Sequence, residues 1–385
     1  MSSIHRFSFP TAIEFGAGAR HGVGAHLAER KLRRPLIVTD QGLAALPILA
    51  DFKAELERAG LDTVVFSGVQ GNPTGNQVGA GAEAFKTHGA DCVIGFGGGA
   101  ALDVAKAVAL MGVHPGNVLE YAWDHPQVRP MDRELPYFIA LPTTAGTGSE
   151  VGRSSVISDD ATHLKKILFS PKLLAKAVFA DPELTLALPA KITAATGMDA
   201  LTHNVESYLS PAYHPLCDGI ALEGARIAAR ALPIAYREPG NIAARSDMLM
   251  ASMMGAIAFQ KDLGAVHSCA HALSTVADLH HGLANGVMID TVMAFNLPSA
   301  TEKMGELARV CGASLETGEA GAKAFVGWLA GFKHRLGIPA RLGALGVRRE
   351  QIPALADVAI ADICHQTNPR ACKRSDFETL FAEAM

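Results

Sequence analysis

Trp and Tyr are scarce, 2 and 5 in 385 residues, and the six cysteines, Cys92, Cys217, Cys269, Cys311, Cys364 and Cys372, include no C-x-x-C pair. Scattered thiols argue against a disulfide framework and a thiolate zinc site, and they fit a reducing cytoplasm. Positive charge is not in excess either. Lys and Arg number 34 against 38 Asp and Glu, a formal net charge of −4, so no basic surface is expected to hold nucleic acid. Long apolar runs are missing too: the most apolar internal stretch, MLMASMMGAIAF at 248–259, is about 12 residues, short of the ~18 that span a bilayer. The opening segment MSSIHRFSFPTAIEFG has no apolar centre of the kind a signal peptide needs. No membrane segment, export signal, solenoid repeat or low-complexity tract is expected.

The sequence does carry glycine and histidine. Its 38 Gly and 20 Pro, with 49% hydrophobic and 19% charged residues, exclude a disordered or collagen-like chain. The length suits two domains with a sizeable core. Fifteen histidines raise the question of metal binding or proton transfer, because imidazole does both near neutral pH.

Short apolar runs alternate with Ala-rich stretches through the first half: PLIVTD (35–40), DTVVFSGV (62–69), DCVIGFGGG (91–99) and PYFIALPTT (136–144). Their length and composition match buried parallel strands, and the intervening segments are long enough for crossover helices. From about Lys191 the texture turns helical. The pattern predicts an α/β dinucleotide-binding (Rossmann-like) domain over 1–185 and an all-α domain over 186–385. The junction falls in DPELTLALPA (181–190), with Thr193 as a cap for the next helix. Near the end, Thr367-Asn368-Pro369-Arg370 breaks structure before a last helix, for which Ser375 and Glu378 have capping-box spacing.

Four constellations carry chemistry. Asp199 and His203 stand four apart in a helical segment, on one face, where they can grip one ion. Taken alone, such a pair is more commonly a surface hydrogen bond. The stretch DLGAVHSCAHALSTVADLHHG adds His267 and His271 at the same spacing, then His280 and His281. One Asp oxygen with three imidazole nitrogens suits Fe²⁺ or Zn²⁺, and ligand type does not choose between them. The third signal, GFGGGAALDVAK (95–106), is a strand, three glycines and a helix start. Glycines let backbone approach a pyrophosphate, and free helix N–H groups favour anionic oxygens. It is not G-x-G-x-x-G, and a Gly run can be a tight turn only. The fourth, PTTAGTGSE (142–150), is another hydroxyl-rich loop after a strand, placed where open α/β sheets bind nucleotides.

The strings VTDQG (38–42), GNPT (71–74), GGGAALDVAK, PTTAGTGSE, DPELTLALP, ATGMDALTH and LGAVHSCAH followed by HHGLANG resemble those of the iron-containing (group III) alcohol dehydrogenases, in family order over essentially the whole chain. The resemblance implies an N-terminal dinucleotide-binding α/β domain and a C-terminal helical domain, as in the dehydroquinate synthase-like architecture, with NAD(P) and a divalent metal. The family's metal ligands fall on Asp199, His203, His267 and His281, and its proton-relay histidine on His271. His280 stands where many members have Pro and is taken as a structural neighbour. For the cofactor, Gly97, Gly98, Gly99 and Ala100 match the pyrophosphate loop, with Ala100 in place of the commoner Ser. Asp103, Asn72, Thr143, Thr144 and Thr147 match positions near the dinucleotide, and Lys165 aligns more loosely. Asp40 ends a strand where its carboxylate can accept from ribose hydroxyls and would repel a 2′-phosphate, so NAD is expected over NADP.

The implied reaction is hydride transfer between a short primary alcohol and NAD, or its reversal as aldehyde reduction, with Fe²⁺, or alternatively Zn²⁺, polarising the oxygen. Lys261 in AFQKDLG, the neighbouring Phe259 and Arg153 in SEVGRSS are nearest in motif to the 4-hydroxybutyrate dehydrogenase branch. Lys261 or Arg153 is expected to pair with a substrate carboxylate, hence an ω-hydroxy acid. The plain alternative has Lys261 and Arg153 solvated or paired with Asp262 and Glu150, which leaves a plain primary alcohol, a diol or a lactaldehyde-type substrate. Two further classes stand as rivals: a metal- and NAD-using lyase of the dehydroquinate synthase type, whose metal site has Glu at the position of Asp199, and a cofactor-binding regulator without catalysis. The family usually forms dimers or larger homo-oligomers. The remaining histidines, His5, His21, His26, His88, His114, His125, His163, His214, His334 and His365, show no ligand spacing and read as surface or loop residues, and Cys269 reads as packing.

Overall fold

The computed structural model describes Phe9 and residues 11–385, so His5 lies outside the described residues. The chain divides into two compact units, one of residues 11–144 with 148–186, the other of 187–385 with 145–147.

The first unit is a six-stranded parallel sheet. Strands β1 (Ala12–Phe15), β2 (Pro35–Asp40), β3 (Val64–Val69), β4 (Cys92–Gly97), β5 (Tyr137–Pro142) and β8 (Ala177–Ala180) take the order β1-β8-β5-β4-β2-β3. Every residue of β4 is buried, as are Pro35 to Thr39 of β2. A strand covered on both faces has no solvent side, which is why these segments read as unbroken apolar runs. Helices α1 (Val23–Glu29), α2 (Gln41–Ala44), α3 (Pro47–Arg58), α4 (Gly75–His88) and α5 (Gly99–Val113) connect them. The core of one face gathers Ile37, Ile94, Phe96 and Ile139 with Phe52 of α3, whose ring stacks on Phe96 at 5.1 Å. An antiparallel hairpin of β6 (Ser154–Ser158) and β7 (Lys165–Phe169) stands apart from the sheet.

The second unit is helical: α6 (Ala190–Leu209), α7 (Pro215–Arg237), α8 (Ile242–Ala258), α9 (Ala265–Ala277), α10 (His281–Val310), α11 (Gly318–Arg335), α12 (Ile352–Ala361) and α13 (Arg374–Glu383). Its centre is α6, buried without interruption from Thr193 to Leu209. Small residues let the neighbours close on it. A Cβ on Gly255 of α8 would lie 2.9 Å from His203 Cβ, and one on Gly282 of α10 would sit against the Ala195 carbonyl oxygen. Ile242–Lys261 has the length and mean hydropathy (1.2) of a membrane span, but α8 packs on α6 and α7, so it is a core helix.

Three local expectations are corrected. Pro189, not Thr193, is the N-cap of α6; the Thr193 hydroxyl instead accepts from Arg245 Nη1 at 2.8 Å. The last helix is capped two residues earlier than Ser375 suggests, by Lys373 N–H donating to Asp376 Oδ2 at 2.7 Å. Among the histidines read as surface or loop, His114 and His214 are buried. The first accepts at Nε2 from Arg133 N–H at 3.2 Å, and the second caps α7 by accepting from Cys217 N–H at 3.2 Å.

Candidate active site

The parallel register places Gly97 opposite Pro142 and Val38 opposite Gly95, so β2, β4 and β5 end at one edge of the sheet. Gly98 is the N-cap of α5 and supplies no side-chain cap, leaving the first-turn N–H groups of a 15-residue helix for an anion. The turn is tight. A Cβ on Gly98 would meet Thr144 Oγ1 at 3.2 Å, and one on Gly97 would meet Ala101 Cβ at 2.6 Å. Beside it lies a cavity of about 260 Å³ lined by Asp40, Gly42, Val69, Gly71, Gly98 and Ala100, among others. Asp40 Oδ1 caps α2 by accepting from Leu43 N–H at 2.8 Å, which leaves Oδ2 on the Gly97 side.

The other expected cofactor residues are not among those lining the cavity. Asn72 is exposed in the turn before Thr74, whose hydroxyl caps α4. Thr143 is buried and its N–H donates to Gly97 O at 3.0 Å, whereas Thr147 groups with the helical unit. Lys165 opens β7, and burial raises the Asp103 carboxyl against the pull of Lys106 and, less, of Lys165. Asp103 itself is not a free acceptor: Oδ1 accepts from Ser149 Oγ at 2.6 Å and Oδ2 from Val156 N–H at 3.1 Å. It therefore shapes the loop instead of offering both oxygens to a ligand. Lys106, which sequence reasoning overlooked, completes this fastening. Its buried ammonium donates to Ser149 O (2.7 Å), Ser149 Oγ (2.8 Å) and Ser154 O (2.8 Å), tying 142–150 to α5. Glu150 alongside is 1% exposed with Oε1 unpartnered, and burial pushes its carboxyl up to about 7 against the pull of Lys106.

The helical unit gathers the second set. Asp199 and His203 lie on α6, His267 on α9, and His281 is the first residue of α10. Asp199 Oδ1 stands 3.4 Å from His281 Nε2, 3.7 Å from His267 Nε2 and 3.9 Å from His203 Nε2. Four donors around an ion at bond lengths near 2.1 Å are separated by about 3.4 Å along each tetrahedral edge, so these residues fit a divalent cation. Their electrostatics agree. Burial would raise the Asp199 carboxyl, yet the three imidazoles hold it well below the usual carboxylate range. Burial lowers His203 to about 4 despite Asp199, which keeps its nitrogen free to bind. His267 goes the other way, to about 9: hydrogen bonds and charge from Asp199 and Glu206 outweigh burial. A proton on His267 then occupies, in part, the role of the cation.

His271, one turn after His267, stacks on His281 with ring centroids 5.1 Å apart. Its Nδ1–H donates to Asp362 Oδ2 at 2.8 Å, while Asp362 Oδ1 accepts from Ser268 Oγ (2.8 Å) and Cys364 N–H (2.9 Å). Burial favours the neutral acid, but His271 and these hydrogen bonds hold Asp362 well below its ordinary range. His280 is the N-cap of α10, accepting at Nδ1 from Leu283 N–H at 3.4 Å, and is not one of the gathered donors.

Two family models match along the chain: "Iron-containing alcohol dehydrogenase" over residues 10–182 and "Fe-containing alcohol dehydrogenase family, C-terminal" over 193–385. The chain belongs to the iron-containing alcohol dehydrogenase family. It is an oxidoreductase acting on CH–OH groups. Among curated relatives, it is 38% identical over 365 residues to the 4-hydroxybutyrate dehydrogenase of Cupriavidus necator, covering 92% of this chain and 93% of that one. It is 34% identical over 383 residues to the NAD-dependent methanol dehydrogenase of Bacillus methanolicus, covering 98% and 99%. The solved alcohol dehydrogenase from Oenococcus oeni superposes with a TM-score of 0.95 at 30% identity, covering 99% of this chain and 100% of that one.

As an iron-containing alcohol dehydrogenase, the protein also holds three residues that sequence reasoning missed. Glu206 is buried behind His267, accepting from its Nδ1–H at 2.5 Å and from Val266 N–H at 2.7 Å. It follows His203 by three on the same helix face, which was a readable signal. Asn285 follows His281 by four on α10 and donates to Asp199 Oδ1 at 2.7 Å. Asp362 lies 91 residues from His271, and nothing in their spacing announces the pair.

The three expected substrate residues have different surroundings. Phe259 lies beside His203, with ring centroids 5.3 Å apart. Arg153 sits over the ring of Phe169 at 5.5 Å rather than pairing with Glu150. Lys261 corrects its expectation. It is 1% exposed, and its ammonium donates to Asp218 and to Tyr208 O (3.4 Å), so the charge is met inside the helical unit by Asp218 and not by Asp262.

Proposed function

We propose that this enzyme transfers hydride between a short primary alcohol and NAD, with Asp199, His203, His267 and His281 holding Fe²⁺ and His271 carrying the hydroxyl proton. The observation that carries the reading is the convergence of one carboxylate oxygen and three imidazole nitrogens at 3.4 to 3.9 Å. A divalent ion held there would lower the pKa of the alcohol hydroxyl, and NAD would accept the hydride. Glu206 keeps His267 Nδ1 engaged, so Nε2 is the atom turned to the site. Asp362 does the same for His271, leaving Nε2 as the basic atom that takes up the proton, and partial exposure of His271 lets it pass that proton to solvent. The N-terminal residues 1–185 would bind the cofactor and 186–385 the metal and substrate. Gly97 to Ala100 with the α5 N-terminus would take the pyrophosphate, flanked by Asn72, Thr143, Thr144, Thr147 and Lys165. Asp40 Oδ2 would accept from ribose hydroxyls and repel a 2′-phosphate, favouring NAD, in line with the name of the Bacillus methanolicus relative.

An ω-hydroxy acid such as 4-hydroxybutyrate is supported by the Cupriavidus necator relative. Internal neutralisation of Lys261 favours a plain alcohol or diol instead, and leaves Arg153 as the cation that would have to meet a carboxylate. A cytoplasmic homo-oligomer fits the free cysteines and the family's habit. The test follows NADH absorbance with 1-butanol, 1,4-butanediol and 4-hydroxybutyrate, after chelation and again with Fe²⁺ or Zn²⁺ restored. Turnover that disappears on chelation and returns with the ion is expected, and inertness of the loaded protein toward every alcohol and aldehyde would overturn the reading. A KM for 4-hydroxybutyrate that rises at least tenfold in Arg153→Ala, with 1-butanol unaffected, identifies the acid as substrate.

A further inference from the structure

Asn285 is fully buried one helical turn beyond His281. Glycines on either side of it press this face of α10 onto α6: a Cβ on Gly282 would lie 3.3 Å from Asp199 Cβ, and one on Gly286 would lie 3.3 Å from Met198 Cβ. The amide nitrogen lies 2.7 Å from Asp199 Oδ1, 3.3 Å from His281 Nε2 and 3.4 Å from His267 Nε2. These are three of the four donor atoms of the metal reading. Asn285 Oδ1, by contrast, is buried with no hydrogen-bond partner.

An unpaired buried carbonyl costs on the order of 1–3 kcal/mol, and a side chain kept for packing alone would not incur it. The residue is held for its nitrogen. We propose that Asn285 is a positioning residue of the metal site, whose amide keeps Asp199, His267 and His281 assembled before a cation binds. The inference rests on the reading that these residues and His203 hold the ion. The Asp199 and His281 lone pairs that converge on one point repel one another, and the positive end of the amide dipole offsets that repulsion until the ion replaces it. Preassembly lowers the reorganisation that binding demands, so it shows as ion affinity and retention.

Asn285→Leu keeps the volume and removes the donor. Asn285→Asp puts a second carboxylate against Asp199. Purified protein loaded with Fe²⁺ without oxygen, or with Zn²⁺, is exposed to EDTA and its metal content followed by atomic absorption, alongside melting with and without ion. Asn285→Leu is expected to lose the ion 10- to 100-fold faster than the parent. Asn285→Asp is expected to lose it more slowly while its ion-free form melts lower, an opposition that a packing role would not produce. Equal loss rates for parent and Asn285→Leu would overturn the inference. Should Asn285→Leu not fold, Asn285→Asp decides alone: loss as fast as the parent's, or faster, overturns it. A parent that takes up no stoichiometric ion instead removes the metal reading, and this inference with it.

Discussion

Changing Glu206 to Gln alters one atom and one charge at the most constrained point of the helical unit. Glu206 Oε1 accepts from Val266 N–H at 2.7 Å, and Oε2 from His267 Nδ1–H at 2.5 Å and His267 N–H at 3.3 Å. All three donors belong to the first turn of α9, where a negative charge is also favoured by the helix dipole. Gln has one acceptor oxygen, so its NH₂ must face either Val266 N–H or His267 Nδ1–H, donor against donor. Losing one charge-assisted hydrogen bond and stranding one buried donor costs about 4 kcal/mol in sum. For a unit of this size that lowers the melting temperature of the ion-free protein by roughly 10 °C. Differential scanning calorimetry of chelated parent and Glu206→Gln measures it. The pH dependence supplies a second check. His267, raised to about 9, lends stability that is fully present below its unfolded value near 6.5 and is lost as pH rises through 9. Glu206→Gln should flatten that decline, because Glu206 is one of the two carboxylates that raise His267. A melting shift below about 3 °C, with the alkaline decline unchanged, would refute the assignment of Glu206 as the group that orders α9 and His267.

Other consequences follow from the same geometry. Glu150, raised by burial from near 4.5 to about 7, binds its proton more tightly folded than unfolded, so it withdraws roughly 3 kcal/mol of stability as pH rises across that window. Glu150→Gln should remove this slope in denaturation curves between pH 4.5 and 7, and an unaltered slope would refute it. Asp362→Asn keeps the shape beside His271 but loses the charge, and is expected to lower kcat on the order of 10- to 100-fold with KM for NAD unchanged; steady-state kinetics with a solvent isotope effect tests it. Gly282→Ala drives a methyl into the Ala195 carbonyl and pushes His281 and Asn285 off Asp199, costing about 2 kcal/mol and hastening ion loss to a chelator. Lys261→Met should leave KM for hydroxy acids and for neutral alcohols in the same ratio, since the ammonium already serves Asp218; a selective rise for the acids would restore Lys261 to the substrate site.

The local patterns carry far. The strands over 35–40, 92–97 and 137–142 are legible because a covered strand is apolar along most of its length, whereas the edge strand over 64–69, buried only at Val69, is legible from its β-branched and aromatic residues. Asp199 with His203, and His267 with His271, are legible because a helix repeats its face every turn. Strands β1 and β8 escaped notice, being four residues each and lacking any period of their own. Lys261 was misread because a cation in sequence shows no partner: Asp218 is 43 residues away and reaches it only when α7 folds beside the turn after α8.

What the sequence by itself determined is chemistry at short range: which segments are strand or helix, where glycines free a turn, and which carboxylate and imidazoles share a helical face. Only the tertiary structure decided which charges are spent internally and which donors stand behind the site. Lys106, Glu206, Asn285 and Asp362 show no helical spacing to the backbone groups of 149–154, to His267, to Asp199 or to His271. Their partners are set by helices crossing and loops closing, and a hydrogen bond depends on separation in space, to which the intervening length of chain is indifferent.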